Sequence, residues 1–371
     1  MSALFSPLRL RGVALANRIV ISPMCQYSAH DDGKPNEWHM IHVGSLALSG
    51  AGMFCFEATA VEPAGRITPG CLGLWDDATE ESFQPLMAAV RAHSRIVMAM
   101  QLAHAGRKGS SRVPWEGGQQ IPLSGGGWQT FAPSPLAHQP GEETPLALDA
   151  EGLVRVREAF AEAARRAHRL GIDAIELHAA HGYLLHEFLS PLANQRGDQY
   201  GGSLENRMRY PLEVFDAVRA AFPADKPVGV KVSATDWVEG GLDLAQTIAF
   251  AREIEKRGAD WITASSGGVS PLQKIPVAPN YQVPFAEGLK GAVGFPVMAV
   301  GLITEAQQAE EIIADGKADC VALARAMLYD PRWPWHAAAE LGATVEAPPQ
   351  YWRSQPREMK GLFGDTPIGQ R

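Results

Sequence analysis

The stretch Val228-Gly-Val-Lys-Val-Ser233, followed by Leu244-Ala-Gln-Thr-Ile-Ala-Phe-Ala-Arg-Glu-Ile-Glu-Lys-Arg257-Gly258 and then Trp261-Ile-Thr-Ala-Ser265, decides the fold. The first and last pieces are short runs, apolar enough to be buried on both faces, as strands of a parallel sheet are. The middle piece has the apolar spacing of an amphipathic helix. It stops at Gly258, where a helix C-cap wants a residue free to take positive φ. The unit is strand, helix, strand.

The same alternation runs through the rest of the chain. Further strands are expected over residues 18–22, 53–59, 96–101, 174–178, 297–300 and 320–323. Helices are expected over 39–49, 80–92, 151–170, 206–221, 281–292, 305–315 and, as one helix, 326–341. Gly171 and Gly316 follow two of them as C-caps, and Thr304 is the expected N-cap of a third. Eight strand–helix units argue for a single α/β domain, a (β/α)₈ TIM barrel. A doubly wound sheet is the runner-up, but neither G-x-G-x-x-G nor G-x-x-x-x-G-K-[ST] occurs. A long Gly-, Pro- and Trp-rich loop, from His104 to about Asp149, follows strand three, on the face where barrel enzymes keep their chemistry. Residues 1–353 make the barrel, and 354–371 a C-terminal extension with weak periodicity, read as an extended arm.

Composition narrows the function. Of the 371 residues, 46% are apolar and 20% charged, which excludes a disordered chain. The formal net charge of −8 sets aside nucleic acid as a partner. Cys25, Cys55, Cys71 and Cys320 fit no metal or redox spacing, so a reducing compartment is expected. With no secretion signal and no apolar run long enough for a span, the expected location is the cytoplasm, away from membranes.

The ends of the strands are unusually polar. They carry Ser22-Pro23-Met24-Cys25-Gln26-Tyr27, Glu57-Ala58, Gln101, His178-Ala-Ala-His181-Gly-Tyr183, Lys231, Gly301 and Ala324-Arg325. Two imidazoles at i, i+3 on a tight turn can both offer N–H to one oxygen and stabilise a developing enolate. They also suit a structural pair or part of a zinc site; for zinc no third ligand is placed, and no metal is expected. Tyr183 can donate a proton beside them, or be an ordinary buried tyrosine. Lys231 can face an anionic ring, or pair internally with Glu57 or Glu176. Gly301 and Ala324-Arg325 stand where many barrels bind a phosphate. Cys25, alone, reads as an inert core thiol. Taken together the set suits flavin mononucleotide (FMN), with Gln101 on the pyrimidine edge, Lys231 at N1/O2 and Cys25 by N5/O4.

These motifs resemble the old yellow enzyme family of FMN-dependent ene-reductases, most closely its thermophilic-like subclass. The carriers are residues 22–27, Glu57-Ala-Thr-Ala-Val61, Gln101-Leu-Ala-His-Ala-Gly-Arg-Lys108, His178-Ala-Ala-His-Gly-Tyr183, Arg196-Gly-Asp-Gln-Tyr-Gly-Gly-Ser-Leu-Glu-Asn-Arg207 and Gln350-Tyr-Trp-Arg353. The resemblance runs from about Leu4 to Arg353. It implies a ping-pong reaction in which NADPH or NADH gives hydride to FMN N5, and N5 passes it to an alkene activated by a carbonyl or nitro group. In it His178 and His181 hold the substrate oxygen, Tyr183 protonates the α-carbon, and Tyr27 orients the substrate. Ser22, Pro23, Met24, Cys25, Ala58, Gln101, Lys231, Gly301, Ala324 and Arg325 would hold the flavin, with Cys25 also acting in catalysis by tuning it. Arg353 would reach the active site of a partner subunit, which implies a homodimer or a homotetramer. Two features depart from the pattern: Lys231 stands where many relatives have arginine, and about 18 residues follow Arg353. A zinc-dependent barrel hydrolase and a non-catalytic flavin-binding sensor are the alternatives. A dienoyl-CoA reductase is discounted, because the cysteines lack cluster spacing and the chain is too short for a second flavin domain.

Overall fold

Successive side chains of a strand point to opposite faces, so closing the sheet puts one set inside and the other under the helices. The structure, a computed structural model, describes residues 2–366. Its eight parallel strands are β1 (Ile19–Ile21), β2 (Met53–Ala60), β3 (Val97–Ala103), β4 (Ala174–Ala179), β5 (Val228–Ser233), β6 (Trp261–Ser265), β7 (Val297–Ala299) and β8 (Cys320–Leu323). They follow one another round a closed barrel, and β8 pairs with β1. The longer helices between and after them are α1 (Glu37–Ala47), α2 (Asp77–His93), α3 (Ala150–Arg169), α4 (Leu204–Ala221), α5 (Leu244–Lys256), α6 (Val283–Lys290), α7 (Ala306–Ala314) and α8 (Trp333–Glu340), with short helical pieces over Leu184–Leu189 and Arg325–Tyr329.

The outward set, such as Ile175, Leu177, Val230 and Ile262, packs against the helices as the main core. The inward set is apolar at the N-terminal end: Val20, Met53, Val97, Ala174, Trp261 and Met298 pack together. A short antiparallel hairpin, Leu8–Leu10 with Val13–Leu15, plugs that end, and Leu10 and Leu15 join the cluster. The hairpin, with strands of three residues each, is not among the expected strands.

One device recurs at the starts of the strands. Asp173, Asp260 and Asp319 each stand just before a strand, and each carboxylate accepts the N–H of a residue opening or near the start of the preceding one: Met98, Val228 and Val297. Each also meets a cation, Arg91, Arg11 or Lys290. The preceding glycines, Gly171, Gly258 and Gly316, take φ of 78°, 84° and 73°, as the expected C-caps require.

Three expectations are corrected. The helix expected over 326–341 is broken into Arg325–Tyr329 and α8, because Pro331 lacks an N–H and drives Asp330 to extended backbone. The cap of α7 is Glu305 rather than Thr304; the Gln308 side chain reaches back to the N–H groups of both. The tail does not extend away. Val345 N–H donates to Leu362 O, and Phe363 packs edge-on to Trp335 with centroids 5.0 Å apart. Residues 367–371 of the expected extension lie outside the described residues. Among the described residues, no helix is long and apolar enough to cross a membrane.

The barrel interior tolerates little. A Cβ at Gly229 would lie 2.1 Å from the indole of Trp261, which is wholly buried. Gly229→Ala should therefore lower stability by about 1–3 kcal/mol or more. Gly44→Ala, in α1 with open space, should raise it by roughly 0.4–1 kcal/mol. Urea midpoints test the pair; equal midpoints would contradict the packing.

Candidate functional site

Above the apolar plug the inward set turns polar. Gln101, Glu176, Lys231 and Thr263 are all buried. The Glu176 carboxyl accepts the Gln101 amide (2.8 Å), the Thr263 hydroxyl (2.6 Å) and, more weakly, the Trp261 indole N–H (3.4 Å). Two residues further along β4, on the same face, stands His178, opposite Lys231.

His178 ends β4, and the chain then turns tightly. His181 takes φ 59° and Gly182 φ 73°. A Cβ at Gly182 would lie 2.2 Å from the carbonyl oxygen of Gly268, and one at Gly268 2.5 Å from the His181 backbone. Two glycines thus let the turn interlock with the loop after β6. Lys108 clamps the two, donating to the carbonyls of His181 (2.8 Å) and Gly268 (3.0 Å). The Ser233 hydroxyl accepts the His181 N–H (2.9 Å) and donates to Gly267 O (2.8 Å). Behind the turn, His186 accepts Gly182 N–H and faces Asp236 at 2.9 Å, both wholly buried.

The rings of His178 and His181 are 5.1 Å apart and near-perpendicular, and Tyr183 lies 4.9 Å from His178. Burial and the positive charges nearby hold both imidazoles well below their ordinary pKa, so both are neutral at pH 7. Ala180 N–H donates to His178 Nδ1 (3.3 Å), which assigns the proton to Nε2. His181 Nε2 meets Ser265 Oγ at 2.7 Å, and that hydroxyl already accepts from Gln282 (3.1 Å). The tautomer in which that hydroxyl donates to Nε2 carries the His181 proton on Nδ1. Burial pushes the Tyr183 phenol well up and the Tyr27 phenol up as well. Burial, and then Glu57, keep Cys25 a thiol.

The donor set fits FMN. Lys231 is buried, yet its ammonium meets only the Ser22 hydroxyl (3.3 Å); among the described residues no carboxylate comes within 4.0 Å. The internal ion pair does not form. Glu57 instead accepts Gln26 N–H and faces His39, and Glu176 is held as above. A buried cation on a neutral partner is costly, and an anionic ring edge at the mouth offsets that cost. Gln101 gives its nitrogen to Glu176, which leaves its oxygen to accept a ring N–H. Ser22 and Ala58 are buried, while Pro23, Met24, Cys25 and Tyr27 line the rim half-buried. Arg325 is exposed, at the end of β8 beside Ala324, and makes no hydrogen bond or ion pair among the described residues, as a phosphate seat requires. Gly301 has φ 115°, and a Cβ there would lie 2.9 Å from Gln282, so its glycine serves the protein's own packing.

Arg353 is not brought to this group. Its turn, Pro349–Ser354, sits at the opposite end: Trp352 lines a cavity of about 690 Å³ with Leu15, Ile96 and Val97. Lys108, Ser233, Ser265 and Gly268 join the site without having been expected there. The adjacent pair Gly267-Gly268 at a strand end was the available signal.

The family described as "NADH:flavin oxidoreductase / NADH oxidase family" matches residues 3–343. The chain is 44% identical over 353 residues to an NADPH dehydrogenase of Geobacillus thermodenitrificans (strain NG80-2), covering 95% of this chain and 98% of that one. It is 43% identical over 351 residues to an NADPH dehydrogenase of Bacillus subtilis (strain 168), covering 94% and 98%. Among solved structures it is similar to morphinone reductase, with a TM-score of 0.78 at 29% identity, covering 99% of this chain and 96% of that one.

The depressed imidazoles have a consequence for stability. Desolvation also holds His42, on α1, down at about 4. Unfolded histidine takes up a proton near pH 6.5, and the folded groups do not. The unfolded state thus binds more protons below that pH, so stability present above about pH 6.5 is lost as pH falls towards the folded values. Urea denaturation from pH 8 to 4.5 should show this decline, with a shallower slope in His42→Gln. Superimposable slopes would refute the neutral, desolvated assignment for His42.

Proposed function

Since the chain belongs to the old yellow enzyme family and is an FMN-dependent NADPH dehydrogenase, we propose that its second substrate is an alkene activated by a carbonyl or nitro group, whose C=C bond it reduces. The observation that carries this reading is the pair of neutral imidazoles beside a protonated phenol, at a mouth whose buried cation lacks a carboxylate. When bound, FMN supplies the hydride relay from NADPH to the alkene.

The rest falls to the chain's own residues. His178 Nε2–H and His181 Nδ1–H both donate to the substrate oxygen. Two preorganised donors at a buried site favour the state in which that oxygen gains charge. Hydride at the β-carbon leaves the α-carbon needing a proton, and Tyr183 holds one: its raised pKa keeps it fully protonated at neutral pH. The Lys108 ammonium, 5.1 Å from the centre of the Tyr183 ring, offsets the phenolate left behind. Solvent then returns the proton, so NADPH, a proton and the alkene give NADP⁺ and the saturated product. Ser22, Pro23, Met24, Cys25, Ala58, Gln101, Lys231, Gly301, Ala324 and Arg325 would hold the flavin, and Tyr27 orients the substrate. Cys25, a thiol rather than a thiolate, tunes the flavin and forms no covalent bond. The four free thiols accord with a reducing cytoplasm.

The reading is tested with cyclohexenone. His178→Ala or His181→Ala should retain FMN but slow alkene reduction by roughly 10²-fold or more, as removing one oxyanion donor does. Phenols should give a long-wavelength charge-transfer band with the oxidised enzyme and not with the double variant. A double variant that reduced cyclohexenone at the unaltered rate would end the clamp assignment.

We further propose that Arg353 completes the site of a second copy, since in its own chain it lies at the wrong end of the barrel. The minimal unit is then a homodimer. Arg353→Ala mixed with His178→Ala/His181→Ala should recover part of the activity, because one of two sites regains both clamp and arginine. A fully active monomer, or unchanged kinetics in Arg353→Ala, would remove the idea.

A further inference from the structure

Beside the clamp, under the loop that follows β3, lies a cavity of about 180 Å³ that no step above uses. Tyr27, Thr68, Arg107, Lys108, Arg112 and Glu142 are among its walls. Three of these are cations and one is a carboxylate, and no ion pair joins them within 4.0 Å. Arg107 is 5% exposed; its terminal nitrogens reach only the carbonyls of Leu136, Ala137 and Val269, and its Nε has no partner. Lys108 likewise meets only carbonyls. Arg112, exposed at the rim, makes no side-chain bond among the described residues. Behind them Glu187 accepts Arg107 N–H, but burial raises its pKa to about 8, so at neutral pH it leaves these charges largely uncancelled.

A small space with excess positive charge and an unsatisfied buried guanidinium N–H is built for an anion. Its position says what carries that anion. The Lys108 ammonium is 5.1 Å from the centre of the Tyr183 ring, and Tyr27 lines the cavity, so an anion there is a short chain away from the reacting carbons. About 180 Å³ accommodates a carboxylate with a few methylenes and has no room for an adenosine. We propose that this cavity is an anion subsite, and that the enzyme prefers activated alkenes bearing a carboxylate on a short chain. The identity of the carrier rests on the ene-reductase reading; the anion site itself does not.

The holoenzyme is tested with 6-oxohept-4-enoate against its methyl ester. The acid should show a kcat/KM about tenfold above the ester, the scale of one or two charge-assisted hydrogen bonds. Arg112→Gln should cut that ratio at least about threefold, Arg112→Lys should largely keep it, and Glu142→Gln, which removes the opposing charge, should raise it. Calorimetry with the saturated 6-oxoheptanoate and its ester should show the same order in affinity without turnover. If the acid binds preferentially and neither alkene is reduced, the subsite stands and the ene-reductase reading falls. Equal acid and ester, or a ratio unmoved by Arg112→Gln and Glu142→Gln, overturns the subsite. If Arg112→Gln weakens only NADPH binding, the anion is a dinucleotide phosphate and the substrate assignment is overturned.

Discussion

The Glu176 carboxyl, buried at the centre of the barrel, is the interaction on which the site depends. It takes hydrogen bonds from β3 and β6 while standing on β4, so it links three strands at one height. Below it the interior is apolar and stoppered by the N-terminal hairpin; above it the interior is polar and open. Removing it would leave the Gln101 amide and Thr263 hydroxyl buried without an acceptor, and such losses cost more than a bond contributes. Because Gln101 is committed on its nitrogen, its oxygen is left as an acceptor. Because Glu176 is committed to neutral donors, Lys231 keeps its charge unpaired.

Desolvation then sets protonation states at the barrel mouth. The same burial that holds His178 and His181 neutral keeps Cys25 a thiol and Tyr183 a phenol. The two imidazoles, the phenol and the thiol are all uncharged at neutral pH. The fixed charges are left to Lys231 on one side and Lys108 on the other. Lys108 itself is drawn down by burial to about 8, so it remains mainly protonated at neutral pH.

Lys108 also joins parts of the chain that are distant in sequence. It follows β3, it bonds the carbonyls after β4 and β6, and it forms a wall of the cationic cavity. The glycine interlock makes this possible, since a side chain at Gly182 or Gly268 would force the two loops apart. The long loop after β3 is therefore more than a cover. It brings positive charge to a turn whose own residues are neutral.

The sequence alone determined the barrel, because short apolar runs and the 3.6-residue helical period are local properties that survive without tertiary context. Glu176 and His178, or Lys231 and Ser233, lie two apart and so must share a face. The closeness of His178 and His181 was equally legible, since i, i+3 on one turn is a local relation. What sat beyond the reach of local pattern was pairing. Lys231 had two carboxylates as candidate partners, and only the packed structure shows that both are taken elsewhere. The break at Asp330 was in principle visible in Pro331, but the folding back of the tail onto Trp335 was not. Protonation states, the cationic cavity and the remoteness of Arg353 from its own site were decided by tertiary structure alone. Each depends on how much water and which charges surround a group, and those neighbours come from parts of the chain scores of residues away.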